Sequence, residues 1–137
     1  MQLHQSLTDK EFLTQFESCE LPPTVFSHEA HLRLVYLYLK QAGIKQAIAK
    51  VTSGIKHYVQ YLGAQDKYNE TLTVAAVRVV YHFMLKGETK SFAEFIIQYP
   101  RLTTSFKDLL AQHYGFNIFQ SEKAKEIYLE PDLLAFN

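Results

Sequence analysis

Apolar residues recur along this chain in two patterns, and the difference between them predicts an architecture. From Ile44 to Leu62 they fall at helical spacing, at Ile44, Ala47, Ile48, Val51, Ile55, Tyr58, Val59 and Leu62, while Lys45, Lys50 and Lys56 take the other side. Such a stretch is an amphipathic helix that buries one face. From Leu32 to Leu39, and again from Leu72 to Leu85, almost every position is apolar. A helix that is apolar all round runs through a protein's interior. The valines at 74, 77, 79 and 80 would suit a strand, but the length of the run and its flanking capping residues favour a helix.

Capping residues and breakers set the boundaries. Thr8-Asp9-Lys10-Glu11 is a capping box, followed by Phe12, Leu13 and Phe16 on one face of a short first helix. Pro22-Pro23 ends that helix in an extended linker. Ser27 is the N-cap of helix two, which runs to about Ala42 and stops at Gly43. Helix three follows at once, and Gly63 closes it. Asn69 or Thr71 caps helix four, and Gly87 ends it. Ser91-Phe92-Ala93-Glu94 is a second capping box, opening a short helix that stops near Tyr99-Pro100. A further helix begins at Thr103 or Thr104 and carries Phe106, Leu109 and Leu110; a last one spans about Ser121 to Tyr128. The tail Asp132-Leu133-Leu134-Ala135-Phe136 is too apolar to hang free and is expected to dock on the body. The expected fold is all-α: one compact domain over residues 1–137, a bundle of about six to seven helices, with helices two and four central.

Composition narrows the functional classes. Lys+Arg and Asp+Glu balance at 14 each, which leaves no basic field for a polyanion and argues against nucleic acid as the partner. No apolar run approaches the roughly 20 residues of a membrane span, so no membrane partner is expected. A single cysteine, Cys19, excludes an internal disulfide and a multi-cysteine zinc site. It fits a reducing compartment. With no signal-peptide pattern at Met1–Ser6, the expectation is a cytoplasmic protein.

The candidate chemistry lies where the two apolar helices begin. Short connections make consecutive helices antiparallel, so the starts of helices two and four fall at one end of the bundle. His28, Glu29 and His31 meet Asn69, Glu70 and Thr73 there. His28 and His31 are three apart, hence neighbours on one helix face, and two imidazoles so placed can supply two ligands to a divalent transition metal. The rest of the coordination would come from Glu29, Asn69, Glu70 or water. Aligned helix starts also attract anions and favour neutral imidazole, the form that binds metal or acts as a base. Arg33 and Arg78 sit in apolar helices, where a charge must be paired or must serve a ligand. The plainer account is that the histidines pack at the surface, the acids complement helix dipoles and the arginines pair with nearby acids. His82 reads as a satisfied core histidine, and His4 as part of a loose terminus.

Phe26-Ser27-His28-Glu29-Ala30-His31-Leu32-Arg33, then Lys67-Tyr68-Asn69-Glu70-Thr71-Leu72-Thr73 and the closing Glu130-Pro131-Asp132-Leu133 resemble a group of small bacterial helical proteins with no established activity. Their pattern is Phe-x-His-x-x-His followed by Lys-Tyr-His-x-Thr-x-Thr. The resemblance implies a site at His28 and His31 and no particular reaction. Asparagine stands at position 69 where the pattern has a third histidine. The favoured expectation is a protein that binds a small molecule or a metal. His28 and His31 would be metal ligands, and Arg33, Asn69, Glu70, Thr73 and Arg78 would hold the ligand; whether it is an enzyme stays open. The alternative is a non-catalytic interaction module or homo-oligomer, with incidental histidines and the aromatics and apolar tail as its contact surface.

Overall fold

The computed structural model describes residues 3–136, and among these every regular element is helical. Eight α-helices follow one another: α1 (Asp9–Glu17), α2 (His28–Gln41), α3 (Ile44–Tyr61), α4 (Glu70–Met84), α5 (Phe92–Gln98), α6 (Arg101–Thr104), α7 (Phe106–Ala111) and α8 (Glu122–Glu126). Short 3-10 turns at His4–Ser6 and Gln65–Lys67 precede α1 and α4. The stretch expected to be one helix after Thr103 is two short ones. Ser105 has left helical geometry, with φ −140°, and ends α6 while preceding α7.

Local chemistry accounts for the boundaries. The Thr8–Glu11 capping box closes in both directions. Ser27 caps α2 through a bond from the Ala30 N–H, and Asn69 caps α4 through one from Leu72. Ser91 accepts from the Glu94 N–H, but the Glu94 carboxylate answers to Lys90 instead of Ser91, so the expected second box is displaced by one residue. Gly63 turns into the left-handed region, φ +71°, where a side chain would be strained. Gly43 does not. Its backbone is extended, and it is the N-cap of α3.

The packing centre is α2, α3 and α4 together, so the amphipathic α3 shares the middle with the two apolar helices. Leu32–Leu39 of α2 are all buried, Arg33 included. The Phe16 ring of α1 packs onto α3 at Gly54, where an added Cβ would stand 2.9 Å from it. Buried tyrosines fasten these layers. Their rings fill the core while the hydroxyls bond Glu17 (from Tyr38), the Leu21 carbonyl (from Tyr58) and Thr89 (Tyr36). Cys19 is buried beside them in the left-handed region, φ +64°.

Two expectations at the ends of the chain need correction or refinement. His4 is not part of a loose terminus: it is 4% exposed, and its ring bonds Glu29 and faces Arg33. The tail does dock, through Phe136 stacked on His113 and through main-chain bonds, but Leu133 and Leu134 point outward. His82, expected in the core, is exposed. No helix among the described residues is long and apolar enough to cross a membrane.

Candidate functional site

The loop after Pro22-Pro23 delivers Phe26 into the core and Ser27 to the start of α2. The first turn then places His28 and His31 on a common face. His28 Nε2 lies 3.0 Å from the Leu102 carbonyl of α6, and its ring packs against Phe106. His31 Nδ1 lies 2.9 Å from the Ser27 carbonyl, one turn back, and its ring stacks on Phe26. A carbonyl oxygen only accepts, so each of these nitrogens carries the proton. In the neutral rings the lone pairs are therefore at Nδ1 of His28 and Nε2 of His31. Burial lowers the His31 pKa, the Ser27 bond opposes this, and nearby His28 adds to it.

The start of α4 is equally fixed. Asn69 Oδ1 accepts from the Leu72 N–H at 2.9 Å, and its Nδ2 donates to the Ile118 carbonyl at 2.8 Å. Thr73 donates its hydroxyl proton to the Asn69 carbonyl. Glu70 turns away to accept the Tyr68 phenol at 2.5 Å and to approach Lys56 at 3.5 Å. Burial, then the bond and charge of Glu70, push the Tyr68 pKa well above its usual value, with Thr73 opposing, so this phenol stays protonated.

Between these two helix starts lies a cavity of about 880 Å³. Leu32 and Val35 of α2, Val51, Ile55 and Tyr58 of α3, and Leu72 and Ala76 of α4 form apolar walls. Thr103, Thr104, Ser105 and Phe106, where α6 gives way to α7, form another side, with Lys67, Lys107, Asp108 and Phe119 also contributing. Volumes of about 300–1,000 Å³, mostly apolar with a few fixed polar groups, are typical of small-molecule sites.

Of the residues singled out from sequence, His28, His31, Asn69 and Thr73 line this cavity together, as the antiparallel connectivity predicts. Glu70 stands behind Tyr68 and does not line it. Arg33 is also elsewhere. Its guanidinium binds the His4 and Leu7 carbonyls and Asp9 and lies over Phe12. Arg78 lies over the Tyr128 ring, with Nε buried and unpartnered. Among the described residues no group of three or more His, Cys, Asp or Glu side chains could hold a metal ion. Asn69 Oδ1 already accepts the cap bond, which leaves it one lone pair.

Sequence reasoning missed Phe26, Tyr68 and the Thr103–Phe106 wall. The first two stood inside the motif-bearing runs. The row of hydroxyls Thr103-Thr104-Ser105 was a further signal, read only as a helix start. No family model, no curated protein and no solved structure matches the chain. Fold and cavity together define a small all-α protein with a ligand-sized cavity at the starts of two of its three central helices.

Proposed function

We propose that this protein binds a small molecule in the cavity between the starts of α2 and α4. The observation that carries this reading is the convergence of His28, His31, Asn69 and Thr73, from two separate sequence runs, on one cavity of about 880 Å³. Those runs are also the ones that carry the resemblance to the small bacterial helical proteins, and the reading treats them as a shared site. Each polar group is held by main-chain partners, the preorganisation a binding site needs.

A direct test is titration with butylbenzene, an uncharged probe of the apolar walls, followed by amide NMR. Saturable shifts at cavity-lining residues are expected. Ala76→Phe, which pushes a ring from the apolar wall into the cavity, weakens them while leaving the rest of the spectrum folded. Absence of saturable binding by butylbenzene and by its alcohol, amine and carboxylate analogues, together with no co-purifying molecule by native mass spectrometry, overturns the reading.

A bound metal is a second reading of the same place. It is favoured by the anchoring of each imidazole N–H on a carbonyl, the arrangement that orients metal-ligating histidines. The donor set falls short of the three protein ligands of an open zinc site, so water or a bound molecule would complete it. Elemental analysis of untagged protein beside a His28→Ala/His31→Ala double variant decides it: near-stoichiometric metal lost in the variant supports this reading, and none in either overturns it.

A further inference from the structure

The hydroxyls of the cavity wall all have acceptors within the protein. Thr73 donates to the Asn69 carbonyl, Thr103 and Thr104 both donate to the Pro100 carbonyl, and Tyr58 and Tyr68 donate to the Leu21 carbonyl and Glu70. With the Thr104 proton placed on Pro100, the Ser105–Thr104 bond must take its proton from Ser105. The two imidazoles follow the same rule, each with its N–H on a main-chain carbonyl and its other nitrogen left as an acceptor. Asn69 has one N–H on Ile118. What the side chains still offer is mainly lone pairs, and the rings of Phe26, Phe106 and Phe119 stand among them. The remaining donors are the exposed Lys67 and Lys107 ammonium groups, the second Asn69 N–H and main-chain N–H groups of first helical turns.

We infer that the cavity selects apolar molecules that bring their own hydrogen-bond donors, an amine or an alcohol, over carboxylates and phosphates. The physical reason is the asymmetry of burial: a carboxylate facing lone pairs loses its water without replacement, whereas a hydroxyl or ammonium finds acceptors in place. This inference rests on the ligand-site reading and names its ligand class, a donor-bearing one instead of the anion that two helix starts alone would suggest.

Four probes with one phenylbutyl body separate the two claims: butylbenzene, phenylbutanol, phenylbutylamine and phenylbutyrate, each titrated into the full chain at neutral pH by calorimetry. Phenylbutanol and phenylbutylamine are expected to bind at least about tenfold more tightly than phenylbutyrate. Thr73→Val and His31→Ala, which each remove an acceptor, are expected to narrow that gap. Phenylbutyrate binding as tightly as the other two, or more so, overturns the inference and leaves the ligand site standing. Failure of all four to bind overturns both.

Discussion

Phe26 lies stacked on the His31 imidazole, ring centroids 3.7 Å apart and planes 21° from parallel. The stack shuts water from one face of a ring whose Nδ1 is already held by Ser27. Burial is the largest cause of its lowered pKa. An NMR titration is expected to place the His31 midpoint below the ordinary 6.5. The unfolded chain takes up this proton near 6.5 and the folded chain only at lower pH. Between the two values the unfolded state binds more protons, so stability falls as the pH drops through that window and levels off below it. Phe26→Leu is expected to move the midpoint back up and to shrink the acid-side loss. An unchanged midpoint would show that the stack is not what excludes water.

Arg33 is expected to matter for stability and not for ligand binding. Its guanidinium holds the His4 and Leu7 carbonyls and Asp9, and so pins the segment before α1 onto α2. Arg33→Met leaves two carbonyls without their partner, a loss of about 2–3 kcal/mol. Urea unfolding should register it. Butylbenzene affinity, measured in the same variant, should stay within about twofold, since the cavity lies elsewhere. A selective loss of binding would return Arg33 to the site.

Thr71 is fully buried and makes two bonds to the chain leaving α8: its hydroxyl donates to the Ile127 carbonyl and accepts from the Leu129 N–H. Thr71→Val keeps the shape and removes both bonds. The expected cost is about 1–3 kcal/mol, accompanied by faster hydrogen exchange at the Leu129 amide than at amides of α2. Unchanged exchange at Leu129 would mean that Tyr114, which bonds the Leu129 carbonyl, is enough to hold the segment.

At Gly54 two magnitudes oppose each other. Alanine gains about 1 kcal/mol in helix propensity. Its Cβ, 2.9 Å from the edge of a Phe16 ring that is 1% exposed, forces a repacking that costs about 1–3 kcal/mol. Thermal unfolding of Gly54→Ala is expected to show a net loss. A gain would mean that α1 yields to α3 without resistance.

These relationships differ in how far they could be read from the sequence. The caps at Thr8, Ser27, Asn69 and Ser91 were legible because each bond spans three residues and needs only local chemistry. The coincidence of the α2 and α4 starts was legible because short connections leave few arrangements. Arg33 was not: its partners lie 24 to 29 residues away, and no local spacing links them to α2. Glu70 was misplaced for a similar reason. Nothing in a first-turn acid announces that a tyrosine two residues back will claim it. The split of the predicted sixth helix turns on the backbone of Ser105, a residue compatible with continuing the helix or breaking it.

Cys19, buried and alone of its kind, makes this chain its own reporter. A thiol reagent cannot reach it until the packing around Phe16 and Tyr58 opens, and any adduct is a single species. The labelling rate of the unmodified protein therefore clocks the opening of its core, and a molecule lodged in the neighbouring cavity should slow that clock in proportion to its occupancy.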